Sequence, residues 1–371
     1  MEALRLRVRA SESHPAVAVP RCYQFVALSR HSLAFPILLM SVAIALEPVV
    51  NDPLMTRVPL EHETLVYPYG FPVRIRSNSA ITLHAAEISC STYQQKFDFP
   101  PLDVRVLVSD SASPALSEPP TFRSQGNLLT LVADAENFAC LDLNTGFSFG
   151  WVTKATAEKT EYFRQCILDV MIYCLLEIRH LVTLHAACVK FNGNGVLLTG
   201  PSGAGKSSLA YACARRGWTY VTDDASAFLR ASREPVVIGH PQKFRFREPV
   251  GQLFPEFLGL KSTLRAYGKP TIEVRTKSLE WLNAADESTI RRIVFLNRHD
   301  FQGGQPVLLP VSTETAWERL SFSVWAVQLP AFEERIEALQ RLLEIPMYEI
   351  RYGDFDPAID LLESLAEGSE V

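Results

Sequence analysis

The segment Gly200-Pro201-Ser202-Gly203-Ala204-Gly205-Lys206-Ser207 is a complete G-x-x-x-x-G-K-[ST] pattern. This order of residues makes chemical sense as a phosphate cradle. Glycine allows backbone angles that turn successive amide N–H groups toward one anion. A helix starting at the end of the loop adds the positive end of its dipole. Lys206 is expected to reach the β and γ phosphates of a nucleoside triphosphate, and the Ser207 hydroxyl to ligate Mg2+. Asp223 and Asp224 lie 17 and 18 positions after Lys206. A short helix and one return strand fill that gap, which brings the carboxylates back beside the phosphates. Acids so placed suit a Mg2+ ligand and a base for an attacking hydroxyl. Two aspartates after a strand also have the chemistry of a turn opener or a helix cap. His185, 15 positions ahead of Gly200, is open to two readings: a core histidine satisfied by backbone groups, or a side chain aimed at the γ phosphate. Arg245 and Arg247 alternate along Lys243-Phe244-Arg245-Phe246-Arg247 and share one face of a strand, as an anion clamp or as a solvated edge.

The elements that must position these residues follow from hydrophobic spacing. Val196–Thr199 is a strand feeding directly into Gly200, and 192–195 (NGNG) is a hairpin turn that pairs it with His185–Lys190. Ser208–Arg216 reads as a helix stopped by Gly217, and Trp218–Thr222 as the strand ending at Asp223. Further strands are expected at Ala227–Arg230, Val236–Ile238, Ile293–Leu296 and Tyr348–Arg351, and helices at Ala331–Leu343 and Pro357–Leu365. Upstream, Phe163, Ile167, Val170, Met171, Cys174, Leu175 and Ile178 recur at helical spacing within Ala157–Arg179 and predict one amphipathic helix. Before it, Val104–Val108, Leu128–Val132 and Phe147–Val152 read as strands, with a Ser/Pro/Ala loop over Ser109–Thr121. The expected organisation is an extension over 1–54, a mainly-β domain over 55–155, and a linking helix with a P-loop domain over 156–371.

Composition narrows the function classes. The 371 residues are 47% hydrophobic and 21% charged with a net charge of −5, a globular composition with no general pull toward nucleic acid. Seven cysteines without a Cys-x-x-Cys spacing predict a reducing compartment and neither a disulfide frame nor a zinc site. Leu33–Leu46 is an uncharged apolar run of 14 residues containing Pro36, shorter than the roughly 20 residues a membrane-spanning helix needs. It has the length of a signal-peptide core, but more than thirty residues precede it. The preferred reading is a poorly packed extension with Met40 or Met55 as an alternative start, no stable membrane insertion, and a cytoplasmic location where ATP is available.

His185 with small apolar neighbours, the hairpin, GPSGAGKSS, Arg215-Arg216-Gly217 and the strand ending in Asp223-Asp224 together resemble the catalytic domain of the HPr kinase/phosphorylase family. The resemblance covers about Leu181–Arg247. It implies an α/β fold: a P-loop domain of the HPr kinase/phosphoenolpyruvate carboxykinase-like type, here preceded by a small mainly-β domain. It implies ATP and Mg2+ as cofactors and transfer of the γ phosphate to a serine of a protein or peptide. By position, Gly200 to Ser208 would hold phosphates, with Ser207, Asp224 and Glu248 at the metal. Asp223 would be the general base, and His185 would contact the transferred phosphate. Founding members form hexamers, so a homo-oligomer is also implied. The family's glycine-rich stretch after the glutamate is replaced here by Glu248-Pro249-Val250-Gly251-Gln252-Leu253, and Arg298-His299-Asp300 stands near where its P-G-R loop would be. The acceptor side therefore departs from the family while the nucleotide side is kept. Two other functions share these residues: a nucleotide-gated binding module without phosphotransfer, and a small-molecule kinase.

Overall fold

The computed structural model describes residues 59–90, 92–247, 250–263, 270–321 and 329–368. The expected extension 1–54, Met55 and Glu248 lie outside the described residues. No described helix is long and apolar enough to cross a membrane.

Seven strands form the first sheet: β1 (His62–Val66), β2 (Val73–Ser77), β3 (Leu102–Ser109), β4 (Thr121–Gln125), β5 (Leu128–Val132), β6 (Phe138–Asp142) and β7 (Phe147–Thr153), in the order β1-β2-β3-β7-β6-β5-β4. β2, β3 and β7 run parallel and the outer strands antiparallel. The parallel β2–β3 pair needs a crossover, and helix α1 (Ala80–Cys90) supplies it. The sequence reading did not include α1. Its buried face is Thr82, Ala85, Ala86 and Cys90, small side chains that give helical spacing little hydrophobic contrast.

The single helix expected over Ala157–Arg179 is broken. It consists of α2 (Lys154–Glu158), α3 (Thr160–Phe163), a π turn over Arg164–Leu168, and α4 (Asp169–Arg179). Lys159 leaves helical geometry at φ −76°, ψ 66°. Its ammonium donates to the Leu116 carbonyl at 2.8 Å, and the Tyr162 hydroxyl to the Glu118 carbonyl at 2.5 Å. These bonds to the 109–121 loop override helix propensity, a tertiary effect that spacing does not encode.

The second sheet has nine strands among the described residues: β8 (Leu181–Leu184), β9 (Ala186–Phe191), β10 (Asn194–Thr199), β11 (Thr219–Thr222), β12 (Ser226–Leu229), β13 (Val236–Ile238), β16 (Glu287–Asn297), β17 (Val307–Pro310) and β18 (Met347–Arg351). A separate hairpin joins β14 (Lys243–Phe246) to β15 (Ile272–Arg275). β16 pairs in parallel with β10 on one side and β18 on the other, so three strands deliver their C-terminal ends to one edge. Period-two alternation sorts their side chains. Val196, Leu198, Val294 and Leu296 pack with α5 (Lys206–Arg215) and α9 (Phe355–Ala366). Leu197, Ile293 and Phe295 pack with α7 (Thr313–Ser321) and α8 (Phe332–Leu342) on the opposite face. A short α6 (Val250–Leu253) follows β14. The chain is thus α/β, with a sheet covered on both faces as parallel strands require.

Gly195 tests the placement of β10. It sits at a register shift between β10 and β16, and a Cβ there would strike the Thr289 carbonyl oxygen and lie 2.5 Å from Ser288 Oγ. The expected result of Gly195→Ala is a loss of about 2 kcal/mol of stability through overpacking, read as a lower urea midpoint at unchanged slope. An unchanged midpoint would show that the two strands are not locked at this point.

Candidate active site

β10 ends at Thr199, the loop 200–205 turns, and α5 begins at Lys206. Gly203 and Gly205 have φ of 94° and 96°, left-handed backbone that favours glycine. Among the described residues, the amides of Ser202, Gly203 and Gly205 donate to no backbone carbonyl. Such a run of free N–H groups at a helix start is an anion nest. The Lys206 ammonium lies across the loop, donating to the carbonyls of Gly200 at 2.8 Å and Pro201 at 3.2 Å. Burial pulls its pKa down, Asp224 pulls it up, and Arg247 lowers it further.

The acid pair stands at the end of β11. Asp223 is buried at 4% exposure. Its Oδ1 is 3.1 Å from the Tyr220 hydroxyl, and its Oδ2 accepts the Arg245 amide at 2.8 Å. Burial pushes its pKa up to about 6; the Arg245 amide opposes this, Asp224 reinforces it, and a hydrogen bond from the Ser207 hydroxyl also opposes it. Asp224 goes the other way. His185 Nδ1 lies 3.0 Å from its Oδ1 and Arg245 Nη1 3.2 Å from its Oδ2. The His185 hydrogen bond, with the Arg245 charge, holds Asp224 down at about 2. Neighbouring carboxylates with separated pKa values are suited to different roles.

The structure therefore brings Lys206, Ser207, Asp223, Asp224 and His185 together. His185 is exposed at the bend between β8 and β9 rather than inside a strand, and its ring faces Asp224. Gly200, Pro201, Ser202 and Ala204 complete the loop, while Ser208 lies in the first turn of α5. The α5 helix starts at Lys206, two residues earlier than expected. Oxygen donors from Ser207, Asp223 and Asp224 are the chemistry Mg2+ prefers, and a buried carboxylate with a raised pKa gains from a nearby cation. The expected metal ligand Glu248 lies outside the described residues. The two arginines of Lys243–Arg247 do share a destination. Arg245 is bound to the acid pair, and Arg247 Nη2 donates to Ser202 Oγ at 2.6 Å.

Two residues near the site, Tyr220 and Tyr352, were not singled out from sequence, and a third, Arg298, was noted only as standing near where the family's P-G-R loop would be. Tyr220, which reaches Asp223, sits inside an apolar strand where a tyrosine reads as core. Tyr352 and Arg298 border the loop from the far side. A Cβ at Gly205 would lie 3.2 Å from the Tyr352 hydroxyl and 3.7 Å from Arg298 Cδ. The Arg298 guanidinium stacks 5.5 Å from the Tyr352 ring centre and 5.8 Å from that of Phe355. The parallel pairing of β10, β16 and β18 is what brings them there, and no local motif records it.

Known proteins share this region. Residues 177–248 match the model of the HPr Serine kinase C-terminal domain, a span that contains His185, the loop, Asp223 and Asp224 and ends at Glu248. The HPr kinase/phosphorylase of Shouchella clausii is 40% identical over 65 residues, which is 18% of this chain and 21% of that protein. The HPr kinase/phosphorylase of Lactobacillus acidophilus is 26% identical over 122 residues, 33% of this chain and 35% of that protein. The chain thus spans between a fifth and about a third of these relatives. The solved Hpr(Ser) kinase/phosphatase from Coxiella burnetii overlays at a TM-score of 0.30 with 13% identity, over 50% of this chain and 88% of that one. In this segment the chain resembles the HPr kinase/phosphorylase-like family, in a divergent form.

The Tyr220 contact can be measured alone. The Tyr220 hydroxyl has one proton and two acceptors in reach, Asp223 Oδ1 at 3.1 Å and the Lys243 carbonyl at 2.9 Å, and when donated to the carboxylate it favours the charged form. Tyr220→Phe is expected to raise the Asp223 pKa above its value of about 6, read from the pH dependence of the Asp223 carboxyl 13C shift. An unchanged or lower value would show that the proton goes to the Lys243 carbonyl instead.

Proposed function

We propose that the chain is an ATP- and Mg2+-dependent kinase that transfers the γ phosphate to a hydroxyl, most simply a serine of a protein or peptide. The observation that carries this reading is Asp223: a buried carboxylate with a pKa raised to about 6, within reach of the Ser207 hydroxyl in the first turn of α5. A base titrating near neutral pH is ionised where ATP chemistry runs, yet basic enough to take a hydroxyl proton. The amides of the loop and the Lys206 ammonium would bind the β and γ phosphates. Mg2+, held by Ser207 and Asp224, would supply positive charge to the phosphate oxygens. Asp224, kept ionised by His185 and Arg245, is not a competing base, and His185, beside Asp224, would turn toward the transferred phosphoryl group. In the transfer the acceptor oxygen bonds to phosphorus, the bond from the γ phosphorus to the bridging oxygen breaks, ADP leaves, and Asp223 receives the hydroxyl proton. The phosphoryl group needs little covalent help, so positioning and charge account for most of the rate.

The likeness to proteins named HPr kinase/phosphorylase supports a protein acceptor. The residues that match lie on the nucleotide side, which leaves the acceptor's identity to experiment. In this reading residues 156–371 form the P-loop catalytic domain, the mainly-β segment 55–155 precedes it, and the protein works in the cytoplasm, where ATP is present.

The test is an incubation with Mg2+, γ-labelled ATP and candidate acceptor proteins. A labelled serine is expected with the unaltered chain and none with Lys206→Ala. Asp223→Asn should keep ATP binding and slow transfer at least about a hundredfold, the usual worth of a general base. Normal turnover in that variant would remove the base assignment. The pH dependence has a defined sign. Because the Asp223 pKa is raised, protonation removes the base as pH falls through about 6. The rate should therefore climb through that pH and level off above it, whereas a profile flat between pH 5 and 7 would contradict the role.

A further inference from the structure

We propose that Arg247 binds the terminal phosphoryl group of the nucleotide and is a second cation, with Lys206, for the transferring phosphate. This rests on the nucleotide reading above and adds a residue to that site.

β14 runs alongside the acid pair. Its Arg245 amide donates to Asp223 Oδ2 at 2.8 Å, and the Arg245 guanidinium reaches Asp224. The strand ends at Phe246, and the chain continues past it toward the loop. Arg247, two positions after Arg245, lands on the loop, with Nη2 2.6 Å from Ser202 Oγ. The extended segment thus spans from the acid pair to the phosphate loop, with one guanidinium at each end. Their partners separate their roles. Arg245 is committed to Asp224 and also lies 3.5 Å from Glu273. Arg247 has only a neutral hydroxyl partner among the described residues. It is exposed, yet its charge is felt at the Lys206 ammonium. Two cations facing one nest of free amides repel one another, and an anion between them relieves that repulsion. A planar guanidinium fits the two oxygens of a phosphoryl group. The segment that ends on Ser202 starts at Asp223, the carboxylate proposed to take the acceptor proton, so a guanidinium between the two would meet the acceptor end of the triphosphate. A solvated surface arginine, the alternative, would have no reason to respond to the length of the phosphate chain.

That response is the test. The full chain is titrated with Mg2+·ADP and with the non-hydrolysable triphosphate analogue Mg2+·AMP-PNP. Arg247→Gln retains a donor for Ser202 and removes the charge. Its affinity for AMP-PNP should fall about tenfold or more, the scale of a lost charge-assisted hydrogen bond, while ADP binding stays within about twofold. Arg247→Lys should recover part of the loss. Equal affinity for AMP-PNP in variant and parent overturns the proposal, and so does an equal loss for both nucleotides. If the unaltered chain binds neither nucleotide, the kinase reading falls and this assignment falls with it. A thermal melt equal to that of the parent confirms that the variant is folded.

Discussion

Everything at the site is organised around the burial of one carboxylate beside another. Two adjacent aspartates in one environment would share a single compromise, each making the other harder to ionise. The fold removes that symmetry. Asp224 faces His185 and Arg245 and stays ionised, whereas Asp223 is enclosed beneath Tyr220, where burial outweighs the Arg245 amide, the Arg245 charge and the Ser207 hydroxyl that favour its charged form. The raised pKa of Asp223 is a destabilisation stored in the folded chain. It persists because β11, β14 and the loop are each held by packing that does not involve the carboxylate.

That packing is the period-two alternation of the central strands. β10 gives alternate side chains to the two faces of its sheet, and β16 does the same in parallel register beside it. Once these strands are aligned, the position of Gly200 is set by a core it does not belong to. The helix that follows buries Leu209, Ala210, Tyr211 and Cys213, so its first turn cannot rotate away from the loop. Tyr211 packs edge-on against Phe244 at 5.1 Å and against Phe246 at 5.5 Å, which ties α5 to the strand carrying Arg245. The donor loop and the acid pair are therefore linked twice, through the sheet and through this aromatic contact.

Much of this was readable in the sequence because it depends on local order. The glycine spacing, the lysine and serine after it, and two aspartates at the end of an apolar strand are consecutive or separated by one short helix. The strands of the nucleotide segment showed for the same reason. What was not readable depends on residues distant in the chain. The break at Lys159 comes from bonds to a loop more than forty residues earlier, and α1 hides because alanine and threonine give its face little contrast. Tyr220 reads as an ordinary strand aromatic until β14 closes over it, with Phe244 stacked on its ring at 3.9 Å. Arg298 and Tyr352 reach the loop only through parallel pairing, which places strand ends side by side regardless of their distance in sequence.

The first sheet also bears on the site, through the residue that leads into β14. His240 Nδ1 is hydrogen-bonded to the Tyr93 hydroxyl at 2.7 Å, and the two rings stack at 5.4 Å. Burial, with the charges of Arg245 and Lys243, lowers the His240 pKa to about 3. The imidazole is consequently neutral at any pH where the protein would function, and a neutral ring can join Tyr93 without adding a third cation beside the two already there. Tyr93 in turn packs on Tyr69, and Tyr69 on Tyr173 of α4. The start of β14 is thus anchored to aromatic residues of which two, Tyr69 and Tyr93, precede Gly200 by more than a hundred positions. Since β14 holds Arg245 against the acids and leads directly into Arg247 at the loop, the spacing between base and phosphate cradle depends on a contact whose Tyr93 side lies outside the segment resembling known kinases.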